Sequence, residues 1–229
     1  MKLTHHLDDN TLMRYASGDL DAAFTVIVAS HIALCEQCRK ASHDAEQLGG
    51  ALLAETDVQP VNDNAFESLM AAIDEQDKSQ VDGVEARNVH TFPKRGAGKI
   101  SGDIPLPLQR HIGAQISDIK WKKVAPGISK HDIDMGKDSP SSLYLLNIAP
   151  GQAVPEHGHG GQEMTLILSG AYNDRFGRFG RGDIADLDEH VEHQPIVEND
   201  AACICLVATE KPTKFKGLIE RVLQPLIRI

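Results

Sequence analysis

The sequence holds no run of eighteen apolar residues, and a membrane-crossing helix needs about that many, so no transmembrane span is expected. Its opening residues, Met1-Lys2-Leu3-Thr4-His5-His6, carry no apolar signal core. That argues against secretion and for a cytoplasmic location. Aromatic side chains are scarce at 4 %, although hydrophobic residues reach 41 %, which is enough for a core. Only four cysteines occur. In a cytosolic chain of this size they suggest metal ligands or redox thiols before structural disulfides. The chain also lacks a repeat of about 20 to 50 residues, which excludes a solenoid or propeller. Its 229 residues suit one large domain or two small ones.

Basic residues are scarce at one end. The formal net charge is −10 at pH 7, and residues 1–85 hold five Lys and Arg against sixteen Asp and Glu. Residues 86–229 are nearly balanced, with eighteen basic and seventeen acidic. An acidic segment of this kind is repelled by nucleic acid and by an anionic membrane, and it attracts a basic protein. A solvated acidic surface kept for solubility would give the same count.

The first 75 residues read as helical. Asp8 to Asn10 offer caps for a helix through Thr11–Ala16, closed by Gly18. Asp19 or Asp21 can start a second helix running toward Cys35, and a third spans about Glu36 to Leu48, ending at Gly49-Gly50. Asn62 and Asp63 offer caps for a fourth, in which Phe66, Leu69, Met70 and Ile73 form an amphipathic row. Such a row usually packs on its own bundle; a face offered to a partner is the other reading. From Asp74 to about Gly102 the apolar pattern is lost, which predicts a linker too long for a loop inside one compact domain. After Ile104, short apolar runs (Leu143–Leu146, Thr165–Leu168, Cys203–Val207) alternate with turns at Pro150-Gly151, Ser169-Gly170 and Arg181-Gly182-Asp183. That texture predicts an all-β barrel or sandwich.

Two constellations carry chemistry. His31, Cys35 and Cys38 have the spacing H-x3-C-x2-C. On a helix, positions i, i+4 and i+7 fall within about 60° of one another. Imidazole and thiolate are zinc ligands, and a structural zinc site wants four. His5 or His6, ahead of the first helix, can fold back to complete it and pin three segments together. A buried core histidine with two unrelated cysteines is the plain alternative. A redox C-x-x-C site lacks the βαβ context it needs. The second constellation is G-x5-H-x-H-x3-E-x6-G, from Gly151 through His157, His159 and Glu163 to Gly170, with His193 ten residues beyond Asp183. His157 and His159, two apart on a strand, face one way. Three imidazoles and a carboxylate bind a divalent transition metal. Zinc is satisfied by these four; iron, manganese or nickel keep open positions. His190 is expected near this site but not as a ligand. Cys203 and Cys205 share one strand face, as small buried hydrophobes or as a redox pair.

With both constellations in place, the chain resembles a ChrR-type zinc anti-sigma factor over nearly all its length. The first motif of a cupin matches from Gly151 to Gly170. The second matches at Gly182 and His193, while Asp188, His190 and Val197 depart from it. The resemblance implies an α + β fold in two domains: a zinc-stabilised helical anti-sigma bundle over 1–85, a flexible linker over 86–103, and an all-β cupin barrel, a metal-binding sensor, over 104–229. It implies His6, rather than His5, as the ligand joining His31, Cys35 and Cys38. It implies a non-enzymatic protein with zinc in both domains, whose partner is an extracytoplasmic-function sigma factor of RNA polymerase, with no direct contact to nucleic acid or membrane. It further implies that singlet oxygen or organic hydroperoxide releases the sigma factor. The competing reading is a cupin dioxygenase or isomerase with an accessory helical domain. Metal identity separates the two.

Overall fold

A computed structural model describes residues 3–80, 103–136, 139–211 and 214–215. Contacts divide the chain into two compact units, Met1–Gly50 with Ile100–Ile229, and Ala51–Lys99. This differs from the division expected at 85 and 103, because the first helices share a core with the β-rich part. The expected linker lies, apart from residue 103, outside the described residues.

Local signals explain the helices. Helix α1 (Asp9–Ala16) is capped by Asp8, whose carboxylate accepts from Thr11 N–H. Helix α2 (Ala22–Leu34) is capped by Asp21, which accepts from the amides of Ala23 and Phe24. Helix α3 (Glu36–Ala54) does not stop at Gly49-Gly50. Each glycine costs about 1 kcal/mol relative to alanine, but the Ala51-Leu52-Leu53-Ala54 run beyond them favours helix and carries it through. Helix α4 (Ala65–Gln80) continues past the predicted loss of pattern at Asp74. Glu, Gln and Lys there are good helix formers, so what ended was the apolar row and not the helix. Phe66, Leu69, Met70 and Ile73 are all exposed, with Phe66 at 69 %, against the expectation that this row packs on its own bundle. A short helix α5 (Leu106–Ile112) opens the β-rich part, with Pro107 in its first turn, where a missing N–H costs nothing.

Among the described residues twelve strands follow: β1 (Lys122–Ala125), β2 (Ile128–Ile133), β3 (Ser142–Ile148), β4 (His157–Gly158), β5 (Glu163–Ser169), β6 (Ala171–Asp174), β7 (Gly177–Gly180), β8 (Ile184–Leu187), β9 (Glu192–His193), β10 (Ile196–Val197), β11 (Cys203–Thr209) and β12 (Lys214–Phe215). They form a six-stranded sheet in the order β1-β2-β3-β11-β5-β8 and two three-stranded sheets, β10-β6-β7 and β12-β4-β9. All pairings are antiparallel. Gly170 makes the tight β5–β6 turn at φ +73°, where any Cβ would meet the Ala202 carbonyl.

The central strands β3, β5 and β11 are buried on both faces, which is why they read as continuous apolar runs. Leu143, Leu145, Leu166, Leu168, Leu206 and Ala208 face the helices, in one core with Phe24, Ile27 and Val28 of α2 and Leu108 of α5. The alternate residues, including Tyr144, Leu146, Ile167, Cys203, Cys205 and Val207, form a second core with Tyr172 and Phe179. Helix α2 is apolar nearly all round because it lies between α5 and the sheet. Each fully buried aliphatic side chain in this layer contributes about 1.5–3 kcal/mol. Polar ties reinforce it. Thr11 Oγ1 donates to Asp186 at 2.7 Å, Arg14 to Gln162 at 3.2 Å, and Ser141 Oγ donates to the α2 cap Asp21.

Candidate metal centres

The first centre gathers His6, His31, Cys35 and Cys38, whose ligand atoms all lie within 4.8 Å of one another. His6 precedes α1, His31 is in the last turn of α2, Cys35 caps α2, and Cys38 is in the first turn of α3. His31 Nε2 is 3.3 Å from Cys38 Sγ, and His6 Nδ1 lies 3.3 Å from Cys35 Sγ and 3.7 Å from Cys38 Sγ. Tetrahedral zinc with N and S ligands would space them by roughly 3.3–3.8 Å. The donor set therefore fits zinc in both chemistry and spacing. His31 is fully buried, and its Nδ1–H donates to the Gly182 carbonyl at 2.9 Å, which turns a proton-free Nε2 toward the thiols. Burial pushes the His31 pKa down to about 4, so this ring is neutral at pH 7, as a ligand must be. Burial, with Cys35 beside it, pushes the Cys38 thiol up to about 11. A bound dication would reverse that balance and hold the thiolates.

The second centre gathers His157, His159, Glu163 and His193, all buried, again within 4.8 Å. Paired strands place His157 directly opposite His193, and Glu163 starts β5. Each imidazole uses Nδ1 as a donor to an outer acceptor: His157 to Pro155 O at 2.8 Å, His159 to Asp188 O at 3.3 Å, and His193 to the buried Asp174 carboxylate at 3.0 Å. All three therefore aim Nε2 inward. The Nε2 atoms of His157 and His193 stand 3.1 Å apart. His159 Nε2 is buried without a hydrogen bond among the described residues, 3.5 Å from Glu163 Oε1. Converging lone pairs of this kind call for a cation between them. Burial, then His193, pushes His157 down to about 3, and burial pushes Glu163 up to about 8. Without a cation His157 and Glu163 are held neutral at pH 7; with one, the carboxylate ionises.

The cluster opens onto a cavity of about 50 Å³ inside the barrel, lined in part by Tyr144, Thr165, Tyr172 and Cys205. His190 is exposed and outside the cluster. Cys203 and Cys205 are buried and free, facing the barrel interior. The Cys203 neighbour and burial push the Cys205 thiol up, which keeps it protonated and unreactive.

Sequence reasoning passed over Asp174 and Asp183. Asp174 sits two residues after Tyr172 on β6 and so shares its inward face. Asp183 figured only as part of a turn and as a marker for the spacing to His193. Burial pushes its carboxyl up, but amides of Gly180, Thr4 and His5 outweigh this and hold it below the usual carboxylate range.

The fold and its two candidate centres thus define a class: a cupin-like barrel with helices packed on its outer wall, one four-residue group that could hold a metal inside the barrel and one among the helices. Residues 109–212 match the family described as the ChrR cupin-like domain. The whole chain is 35 % identical to the anti-sigma-E factor ChrR of Cereibacter sphaeroides, covering all of both chains. It is also similar to the crystal structure of Rhodobacter sphaeroides SigE in complex with the anti-sigma ChrR. That match has a TM-score of 0.73 and 34 % identity, covering 91 % of this chain and 99 % of that one. The chain belongs to the ChrR family of anti-sigma factors.

Proposed function

We propose that this protein binds an extracytoplasmic-function sigma factor of RNA polymerase in the cytoplasm, withholds it from polymerase, and releases it under oxidative stress from singlet oxygen or organic hydroperoxide. Residues 1–85 are the sigma-binding segment and residues 104–229 the sensor. Zinc occupies both centres, on His6, His31, Cys35 and Cys38 and on His157, His159, Glu163 and His193. At the first centre the ion cross-links the segment before α1 to the end of α2 and the start of α3, which fixes how the helices cross. The protein contacts neither nucleic acid nor membrane. In support, its net-acidic segment repels both, and no helix among the described residues is long and apolar enough to cross a membrane.

The observation that carries the binding reading is the exposed apolar row of α4, Phe66, Leu69, Met70 and Ile73, set in an acidic segment. An exposed contiguous apolar face rimmed by charge marks an interaction surface. The test is titration of the purified protein with the sigma factor encoded beside it. Leu69→Glu combined with Met70→Glu should weaken binding at least about tenfold, the loss of one or two buried apolar anchors. Zinc content and melting temperature should hold, since both side chains are exposed. Wild-type affinity in this variant would overturn the assignment of the face.

The second reading, a cupin dioxygenase or isomerase, is favoured by the cavity beside the barrel cluster. Iron or manganese in the purified protein, with oxygen uptake on a small substrate, would replace the sensor reading. Zinc in both centres without turnover would retire the enzyme.

A further inference from the structure

We propose that the β7–β8 turn of the barrel, Gly180 to Asp183, is a clasp on the first metal centre, and that Asp183 is its positioning residue. The proposal rests on the reading that His6, His31, Cys35 and Cys38 hold a metal. Contacts from this one turn reach the ligand His31 directly and the two residues that precede the ligand His6. Asp183 Oδ1 accepts from the backbone N–H of Thr4 at 2.7 Å and of His5 at 3.0 Å, fixing the extended segment that delivers His6. Its other oxygen accepts from Gly180 N–H at 2.9 Å, which ties the carboxylate to its own turn. One residue away, the Gly182 carbonyl takes the Nδ1–H of His31 at 2.9 Å. The turn therefore sets both the backbone entering His6 and the ring orientation of His31.

Packing closes the same junction. Gly182 has φ +89°, and a Cβ there would come within 2.8 Å of Leu3, so the N-terminal segment lies directly on the turn. His5 stacks on Phe179 with ring centroids 3.8 Å apart, and its Nε2 donates to the Arg178 carbonyl at 3.1 Å. Phe179 stacks in turn on Tyr172, at 4.9 Å, and Tyr172 lines the barrel cavity. The barrel thus supplies the outer contacts that a zinc ligand needs to stay in place. Loss of such contacts typically costs about 10- to 100-fold in metal affinity. By linkage, the coupling acts in both directions.

The test uses full-length, zinc-loaded protein. Zinc per chain is measured, and the rate of iodoacetamide labelling of Cys35 and Cys38 under a fixed excess of chelator is followed by peptide mass mapping. Wild type should hold two zinc ions and label slowly at both thiols. If it labels at once, the metal reading itself fails before the clasp is tested. Asp183→Ala removes the acceptor, and Thr4→Pro removes one donor while leaving the barrel turn intact. Both should label Cys35 and Cys38 at least about tenfold faster while keeping the barrel zinc. Asp183→Asn, which keeps one acceptor oxygen, should fall between them and wild type. Wild-type labelling in both variants would overturn the clasp. So would faster labelling only together with loss of the barrel zinc, which would mean general unfolding. Faster labelling in Asp183→Ala alone would also overturn it, because the tether to Thr4 would then not matter.

Discussion

Truncating Ile27 tests whether helices and barrel stand or fall together. Ile27 is fully buried in α2, in one core with Leu143, Leu145, Leu166 and Leu206 on the outer face of the sheet. Ile27→Ala removes three carbons from a layer that cannot collapse, because α2 is held between α5 and the strands. Substitutions of this kind cost about 2–5 kcal/mol, from lost transfer energy plus the cavity left behind. In a folded unit of roughly 180 residues, each kcal/mol lowers the melting temperature by about 2–4 °C, so a cost near 3 kcal/mol predicts a fall of roughly 6–12 °C. The chain carries one tryptophan, Trp121, which precedes β1 and packs against this core. Its fluorescence reports the barrel, while far-ultraviolet circular dichroism reports the helices. Both transitions should move together, at fixed zinc concentration. A fluorescence transition left at its wild-type temperature while the helical signal moved would refute the shared core.

Asp174→Ala should lower metal affinity at the barrel centre by about 10- to 100-fold, because it frees the His193 ring to turn; competition with a chromophoric chelator measures this. The fragment 1–85 should bind one zinc and the sigma factor, more weakly as ionic strength rises, as acid meets base. It should also bind more of a hydrophobic dye than the full-length protein does, since Ala23, Phe24, Ile27 and Val28 lose the sheet that covers them. A fragment that bound the sigma factor equally well at two ionic strengths would refute the charge argument.

Both candidate metal clusters were legible in the sequence from the close spacing of His31, Cys35 and Cys38 and of His157, His159 and Glu163, although it is the break between α2 and α3 at Cys35, and not one continuous helix face, that gathers the first three. The caps at Asp8 and Asp21 were legible too. Three features were not. The docking of α2 onto the sheet left no periodic signal, because a helix buried nearly all round has no polar stripe to give its orientation. The exposure of the α4 row was hidden, because an amphipathic pattern says that a face is apolar and not what covers it. Asp183 was hidden because its partners, Thr4 and His5, lie nearly 180 residues away in the chain, and a carboxylate in a turn reads as solvated until the fold brings donors to it.

Strand β11 is a partition wall with a different room on each side. Cys203, Cys205 and Val207 furnish the barrel, and Ile204, Leu206 and Ala208 furnish the helical side. Since both rooms are apolar, sorting by hydrophobicity does not oppose a slip of one residue, which would exchange the two sets of furniture. Shape and the polar ends must hold the wall in place. Thr209 stands opposite Glu163 of β5 on one side and Ser142 of β3 on the other. A slip would carry Thr209 away from Glu163 and crowd the isoleucine and leucine into the small cavity beside the histidines. The barrel cluster thus doubles as an alignment mark, and a chain assembled one notch out of line would be unable to bring His157, His159, Glu163 and His193 together.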